Sequence, residues 1–435
     1  MKDNIKKIIE YGIYLLVFIL PLQTRWIFSP GEFNGGYSEY FTYSLYGFDI
    51  LLFILIGLEG TSIIINKKDK TIKAPVLWIL LGIFEFICFI SIFFALDRTL
   101  AVFVYVRLLF VFGFFFVIIK SKYDKNKIFL SFIASAFFQS LFVVWQFVTQ
   151  SGFANKWLGL AKHDPAELGV SVVEAVGASG HSERWLRAYG SLDHPNMLGG
   201  FLALALILIM FYRIKQNKKV HLFFIFAYVV IGFALVFSFS RSAWLGLLLG
   251  LLIIALISIK RRALQAQKII AQSILMISVI FFALFLIYPN LFMTRVSADS
   301  RLENISKEER ISAIDTAQKI SQEYSAIGTG IGNYTKAQAE IKKLQYSYKL
   351  QPVHNVFLLI RSETGIFGIL VFLVILLYYL QIIIKSKENI YLIGGFILIL
   401  IIFMFDHWLW SLHFGLMLLA FISGGVIKLI YSKEF

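Results

Sequence analysis

The sequence predicts an all-α fold, a polytopic bundle of helices that crosses a membrane about twelve times. Of its 435 residues, 59% are hydrophobic and only 15% are charged, whereas a soluble domain carries about 25% charged residues. The apolar residues also fall into twelve stretches, and a helix needs roughly 20 apolar residues to cross the hydrocarbon core of a bilayer. These observations exclude a soluble multidomain enzyme and a disordered chain.

The twelve stretches alternate with basic connections. They are 8–28, 43–65, 75–96, 100–119, 128–149, 195–212, 220–238, 242–259, 269–288, 355–384, 389–405 and 407–430. Clusters of Lys and Arg occupy every second connection and both ends of the chain. Because cytoplasmic loops are enriched in Lys and Arg, we predict a multi-pass protein of the cytoplasmic (inner) membrane with both termini in the cytoplasm. The first stretch is expected to stay in place as a signal anchor.

Two connections, 150–194 and 289–353, are too long and too polar to be simple turns, and the alternation puts both on the outer face. We expect helices in the second. There, Ser306 and Glu309 have the spacing of a capping box, which predicts the start of a helix. The glycine-rich run 328–334 predicts the end of that helix.

The predicted organisation therefore has five regions. Five spans come first, followed by an outer loop, four spans, a larger outer loop with helices, and three final spans. The corresponding ranges are 1–149, 150–194, 195–288, 289–353 and 354–435.

Among the charged residues inside predicted spans, Glu85 lies in the third and Arg107 in the fourth. A short turn joins these spans, and at a rise of about 1.5 Å per residue the two charges differ in depth by only a few Å. A lone Arg at the centre of a membrane costs at least about 2.5 kcal/mol. We therefore predict an ion pair between Arg107 and Glu85 with a structural role.

Three basic residues lie next to span ends on the predicted outer face. Arg187 precedes the sixth span, Arg241 lies in the turn between the seventh and eighth, and His354 starts the tenth. A guanidinium group binds two phosphate oxygens at once, and a histidine can accept the proton of a hydroxyl group. These three are the candidate catalytic residues. Each also has a simpler interpretation: Arg241 as an interfacial anchor, Arg187 as a solvated loop residue and His354 as a helix-start residue.

Residues near these three are candidate substrate contacts. His194 and Asn196 flank Pro195, although a proline at the first helical position also explains this run as the start of a helix. Arg361 follows His354 by seven residues on the same helix face, and it either extends the cationic site or reaches back to the interface. The predicted substrate-binding residues are Tyr189, His194, Asn196, Ser240, Asn355 and Arg361.

No metal or cofactor is predicted. The sequence has no Asp-x-Asp, His-Glu-x-x-His, Walker or dinucleotide-binding run, and its single cysteine, Cys88, excludes a cysteine-rich metal site. Chemistry on a phosphate group would then depend on protein cations in place of a divalent metal.

Three runs of residues occur in order: RAYGSLDHPNMLGGFLALALIL at 187–208, FSFSRSAWLGLLLGLLI at 237–253, and GIGNY at 330–334 followed by HNVFLLIRSETGIFGILVFL at 354–373. In these runs, and in its long loop before the tenth span, the chain resembles the O-antigen ligase and O-antigen polymerase superfamily. The resemblance implies an integral-membrane glycosyltransferase of polysaccharide or lipopolysaccharide biosynthesis. Such enzymes take a glycan from undecaprenyl pyrophosphate on the outer leaflet and attach it to an acceptor sugar.

The same resemblance implies roles for the candidate residues. Arg187 and Arg241 would hold the pyrophosphate, and His354 would be the general base or would orient the acceptor hydroxyl, without a metal. The resemblance does not determine the acceptor. For a ligase it would be a lipid core or a protein, and for a polymerase it would be another polyprenyl-linked repeat. The expected partners are this donor, a glycan, lipid or protein acceptor, and the bilayer. No nucleic acid is expected despite the net charge of +15.

The rival interpretation is a twelve-span secondary transporter or a polysaccharide exporter. It explains the number of apolar stretches equally well. However, transporters with two related halves have similar layouts in both halves, whereas the long connections here follow the fifth and the ninth stretch. The transferase is therefore the preferred prediction.

Overall fold

The computed structural model describes residues 2–65, 74–176, 182–216, 222–297, 301–387 and 389–431. Within these residues the chain is a bundle of α-helices with three small antiparallel hairpins. The helices are α1 (Lys2–Ile19), α2 (Gly47–Ile65), α3 (Pro75–Ser91), α4 (Arg98–Lys120), α5 (Lys125–Thr149), α6 (Pro195–Gln216), α7 (Leu222–Phe237), α8 (Arg241–Lys260), α9 (Leu264–Ile287), α10 (Pro289–Ser297), α11 (Arg301–Glu323), α12 (Tyr334–Lys342), α13 (Val356–Lys385), α14 (Ile393–Phe405), α15 (Trp408–Ser411) and α16 (His413–Tyr431). The paired strands are β1 (Arg25–Ser29) with β4 (Tyr43–Tyr46), β2 (Glu32–Phe33) with β3 (Gly36–Tyr37), and β5 (Val172–Val176) with β6 (Ser182–Leu186).

The predicted all-α membrane fold is confirmed. In the described part of the chain, nine helices are long and apolar enough to cross a membrane, namely α2 to α6, α8, α9, α13 and α16. Helices α7 and α14 are apolar but shorter, and α1 occupies the first predicted stretch. The number of twelve crossings stays a prediction.

The boundaries of the first two predicted spans were wrong. Helix α1 ends at Ile19 and α2 begins only at Gly47. The residues between them are held by the pairing of β1 with β4, in which Arg25 lies opposite Tyr46. The apolar residues of these strands resemble the ends of spans in composition, because membrane helices and strands use many of the same bulky apolar side chains.

Helix α6 lies at the centre of the bundle and packs against α5, α7, α8, α9 and α14. Pro195 is its first residue, as expected, because a proline lacks only an amide hydrogen that the first turn of a helix leaves unused. Gly199 lies so close to the turn between α7 and α8 that a Cβ atom would be 2.6 Å from Ser240 Cβ. The absence of a side chain at Gly199 thus brings the start of α6 against that turn.

Helix α13 is kinked at Gly365, which has φ +68°. The loop after α11 fits against the kink: the N–H groups of Thr329 and Gly330 donate to the carbonyls of Ser362 (2.9 Å) and Glu363 (3.0 Å). These are carbonyls near the kink, where the regular hydrogen bonds of the helix are interrupted. Helix α11 ends at Glu323, before the glycine-rich run 328–334, and that run anchors the long connection to α13.

The predicted capping box was wrong. Helix α11 begins at Arg301, so Ser306 lies inside it. The first turn is held instead by Glu303, which pairs with Arg295 of α10 and Arg241 of α8. Tertiary ion pairs thus extend the helix beyond the start that the local spacing indicated.

The predicted ion pair between Arg107 and Glu85 was also wrong. The guanidinium of Arg107 lies 4.8 Å from the ring centroid of Phe103 and 5.7 Å from that of Tyr46. Although a short turn joins α3 and α4, helix α4 packs mainly against α2 and α16. The side chains that surround Arg107 therefore come from other elements than α3.

The hairpins and helices α10 to α12 gather at one end of the bundle, which we call the loop-rich end. Asn34, between β2 and β3, donates to the carbonyl of Gln345 (3.2 Å), which follows α12. Asn290 of α10 donates to the carbonyl of Val176 in β5 (2.7 Å). The connections that lie far apart in the sequence therefore form one layer over this end.

Candidate active site

Arg187 directly follows β6 and is buried against the turn between α7 and α8, with 8% of its surface exposed. Its Nε donates to the carbonyl of Ser238 (3.0 Å) and its Nη2 to that of Phe239 (3.3 Å). These carbonyls follow the C-terminal end of α7, where the helix dipole favours a cation. Arg241 begins α8 two residues later, so the fold brings the two predicted arginines to the same turn.

A chain of hydrogen bonds leads from Arg187 to the opposite side of α6. Arg187 Nη2 donates to Asn196 Oδ1 (2.6 Å), and Asn196 Nδ2 donates to Asp406 Oδ2 (2.7 Å). His354 Nδ1 lies 3.4 Å from Asp406 Oδ1. We call Arg187, Asn196, Asp406 and His354 the Asp406 network. It joins the segment before α6 and the start of α6 to the segments after α14 and before α13.

His354 is fixed by its neighbour in the sequence. Asn355 caps α13 by accepting from the N–H of Leu358 (2.9 Å), and its Nδ2 donates to the carbonyl of Met404 in α14 (3.2 Å). The side chain of His354 is 25% exposed, whereas that of Asp406 is 4% exposed. With Nδ1 facing a buried carboxylate, Nε2 is the nitrogen left for a substrate.

The sequence prediction missed Asp406 and His407. His407 packs beside His354, with ring centroids 5.0 Å apart, and its Nδ1 lies 2.6 Å from Ser411 Oγ. Burial by itself would raise the pKa of Asp406, but the close approach and charge of His354, together with the charge of His407, lower it well below its usual range. The available signal was a polar pair that interrupts a long apolar run, because such residues in membrane proteins usually face the protein interior.

Arg241 lies at the more open side of the same turn. Its Nη2 is 2.7 Å from Glu303 Oε2, and the other oxygen of Glu303 pairs with Arg295. The side chain of Arg241 is 41% exposed, but that of Glu303 is only 6% exposed. Burial and the charges of Arg295 and Arg241 lower the pKa of Arg187, which is consistent with three cations in one neighbourhood.

The other predicted substrate contacts lie around this network, with one exception. His194 Nδ1 accepts from the N–H of Asn196 (3.1 Å), and burial and the charge of Arg187 lower the pKa of His194 to about 3. Tyr189 accepts from the N–H of Ser171 (2.7 Å). Ser240 is fully buried beside Arg241.

Arg361 is the exception. Its Nη1 donates to the carbonyl of Ser325 (3.4 Å), which follows α11. Its hydrogen bond is thus made to the segment after α11 and not to a residue of the Asp406 network. Whether Arg361 contacts substrate or reaches the interface stays open, as in the sequence prediction.

One group of side chains has the composition of a metal site. His354, Asp406 and His407 each offer one ligand atom, and these atoms lie within 4.8 Å of one another. Two imidazoles and a carboxylate can hold a divalent metal. The carboxylate of Asp406 also accepts from Asn196 and from the N–H of His407 (2.9 Å). The group thus fits a metal or a hydrogen-bonded base, and removal of metal ions distinguishes these uses.

Residues 226–373 match the family model for O-antigen ligase. This part of the chain is similar to O-antigen ligases. The matched range runs from α7 to α13 and contains Arg241, Glu303 and His354, whereas Arg187 and Asp406 lie outside it. The predicted likeness to the O-antigen ligase and polymerase superfamily is confirmed over this range. No curated protein matches the chain.

Proposed function

We propose that this protein is a membrane glycosyltransferase that moves a glycan from undecaprenyl pyrophosphate to a hydroxyl group of an acceptor sugar. The observation that supports it most directly is the Asp406 network, which links Arg187 to His354 through Asn196. It couples a cationic turn, suited to a leaving pyrophosphate, to a histidine suited to accept a proton. The O-antigen ligase match over residues 226–373 supports the same chemistry.

The arginines stabilise the leaving group. As the bond between the anomeric carbon and the phosphate oxygen breaks, negative charge grows on the pyrophosphate, and cations that are already in position stabilise this charge more than that of the bound donor. Arg241 presents an exposed guanidinium. Arg187 uses Nε and Nη2 for protein contacts, which leaves Nη1 for a phosphate oxygen.

His354 activates the acceptor. Its Nε2 takes the proton of the acceptor hydroxyl while the hydroxyl oxygen forms the new bond to the anomeric carbon. Asp406 keeps the proton of the neutral ring on Nδ1 and stabilises the imidazolium that forms. Asp406 and Asn196 act through other residues, so they are positioning residues. No step in this proposal uses a metal.

We further propose that the site faces the outside of the cytoplasmic membrane and that both termini face the cytoplasm. The basic connections at 120–127 and 260–268 support this orientation, since they lie at the opposite chain ends of α4 and α8 from the loop-rich end. The division into five regions with outer segments 150–194 and 289–353 belongs to the same proposal.

The test is transfer by the purified protein in lipid vesicles. The donor is a labelled oligosaccharide on undecaprenyl pyrophosphate, and the products are glycosylated acceptor and free undecaprenyl pyrophosphate. We expect both products to form together and His354→Gln to lose both while donor binding is retained. Movement of the donor across the vesicle without transfer would contradict the proposal and favour the transporter.

A further inference from the structure

An apolar cavity of about 260 Å³ lies inside the bundle. Its walls come from α3 to α6, α13, α14 and α16, and they are almost entirely apolar. Trp410 lines it at the loop-rich end, and Lys125 and Lys428 line it at the other end. Along α16 the lining runs from Leu416 to Leu429, which at a rise of about 1.5 Å per residue spans about 20 Å. This is a large part of a hydrocarbon core of about 30 Å.

A smaller pocket of about 60 Å³ adjoins the cavity at the loop-rich end. Leu108, Trp410 and Leu416 line both spaces, so these residues lie between them. We call the smaller space the Arg107 pocket. Its polar and aromatic lining includes Glu39, Tyr40, Tyr46, Phe103, Arg107 and Ser411. A ligand with an apolar chain and a polar head would fit the two spaces together.

Arg107 gives this pocket an available positive charge. Its guanidinium lies over the ring of Phe103 and beside that of Tyr46. Among the residues that the structure describes, it has no ion pair and no hydrogen bond. Two carboxylates also line the pocket: Glu39 is paired with Arg25 (Nη2 to Oε2, 2.8 Å), and Glu363 accepts from Trp410 Nε1 (2.8 Å). An anionic group is therefore the ligand that this pocket lacks.

The Arg107 pocket reaches the Asp406 network through His407. The ring of Tyr40 lies 6.2 Å from that of His407, and Ser411 Oγ lies 2.6 Å from His407 Nδ1. His407 in turn packs against His354, with ring centroids 5.0 Å apart. A head group in this pocket is thus one side chain away from the proposed base.

We propose that the apolar cavity and the Arg107 pocket together bind the acceptor, as a saccharide attached to a long hydrocarbon chain through a phosphate. The chain lies in the cavity, the phosphate contacts Arg107, and the sugar extends past Tyr40 toward His354. The donor then approaches His354 from the side of Arg241. This inference rests on the proposed function and names the class of acceptor.

The first test fills the cavity. Gly425 lines it, and a Cβ atom there would meet nothing within 4 Å, so the side chain of Gly425→Leu starts in open space. Gly82→Leu is the matched control, because a Cβ at Gly82 also meets nothing and Gly82 does not line the cavity. With a polyprenyl phosphate-linked sugar as acceptor, Gly425→Leu should raise the acceptor KM by about tenfold or more, because buried methylene groups supply much of the binding of a chain. Gly82→Leu should not.

The second test removes the charge. Arg107→Gln should raise the KM of the same acceptor by about tenfold, since a hydrogen bond to a charged group is among the stronger polar contacts, and it should leave the donor KM unchanged. Arg98→Gln is the control, because Arg98 lies on the same helix and its one hydrogen bond within the described ranges is to the carbonyl of Phe93 (3.2 Å). The same sugar without its lipid should be a poor acceptor for the unaltered protein.

The outcomes separate this inference from the proposed function. If the unaltered protein transfers glycan to a lipid-free sugar as efficiently, and neither Gly425→Leu nor Arg107→Gln changes the acceptor KM, the inference is wrong but the function stands. A raised donor KM in Gly425→Leu, with the acceptor KM unchanged, would assign the cavity to the donor and would also overturn it. No transfer to any acceptor would contradict the proposed function itself.

Discussion

Arg187 and Arg107 lie at the same end of the bundle but in opposite surroundings. Arg187 makes hydrogen bonds to two carbonyls and to Asn196 and is 8% exposed. Arg107 rests between the aromatic rings of Phe103 and Tyr46, and the described part of the chain provides it with no ion pair or hydrogen bond. Arg187 therefore holds protein groups in position, whereas Arg107 is the one we propose to bind a ligand.

This difference shows how two anionic substrates can be kept apart. The Asp406 network fixes the base and the first cation with bonds that substrate binding does not need to break. In the Arg107 pocket, by contrast, the guanidinium of Arg107 forms a new hydrogen bond when an anionic ligand binds. Changes in the network should therefore act mainly on kcat, and changes in the pocket on the acceptor KM.

The largest effect is expected for His354→Ala. Loss of a general base lowers kcat by about 10² to 10⁴-fold, so transfer should be nearly abolished. Donor binding should change little, because Arg241 and Arg187 remain. The measurement is single-turnover transfer together with equilibrium binding of the donor in vesicles. If donor binding is lost as well, His354 is a phosphate ligand and not the general base.

Arg241→Lys should lower transfer by about 10²-fold. A lysine keeps the charge but cannot bind Glu303 and two phosphate oxygens with one planar group, and hydrogen bonds to charged groups contribute about 1.5–3 kcal/mol. The control is Arg295→Lys, which alters the same carboxylate of Glu303 from its buried side. Unchanged transfer in Arg241→Lys would remove Arg241 from the site.

Asp406→Asn should lower kcat by about 10- to 100-fold, because partners that orient a working imidazole have effects of this size. The amide also no longer stabilises the imidazolium, so the loss should fall on kcat while both KM values stay unchanged. Asp49→Asn is the matched control, since Asp49 pairs with His413 (2.7 Å) in the bundle interior. A merely structural role for Asp406 would lower the thermal stability and leave kcat of the folded protein unchanged.

The smallest effect is expected from chelation. EDTA should leave transfer unchanged, because Arg241 and Arg187 are proposed to replace a metal. The measurement is the initial rate before and after chelation, with Mg²⁺ and Zn²⁺ added back separately. Strong inhibition that an added ion reverses would mean that His354, Asp406 and His407 hold a metal, and the network would then be a metal centre instead of a hydrogen-bonded base.

Several parts of the site were predictable because they depend on local patterns. Arg241 and His354 lie at span ends, which the lengths of the apolar runs reveal. Pro195 marks the start of α6 because a proline by itself favours the first position of a helix. Asp406 and Arg107 were misjudged for the opposite reason. Asp406 acquires its role from Asn196, 210 positions away in the chain, and Arg107 faces Tyr46 because α4 packs against α2 instead of α3.

The sequence by itself determined that this protein is a helical membrane bundle and where most of its helices lie, because the bilayer imposes length and hydrophobicity on each segment separately. It also indicated the likeness to O-antigen ligases, through short runs around Arg187, Arg241 and His354. The tertiary structure alone decided which polar side chains share a hydrogen bond and which charge stays unpaired. Those outcomes depend on how helices pack against one another, and packing inside a membrane follows close-fitting shapes that no single segment encodes.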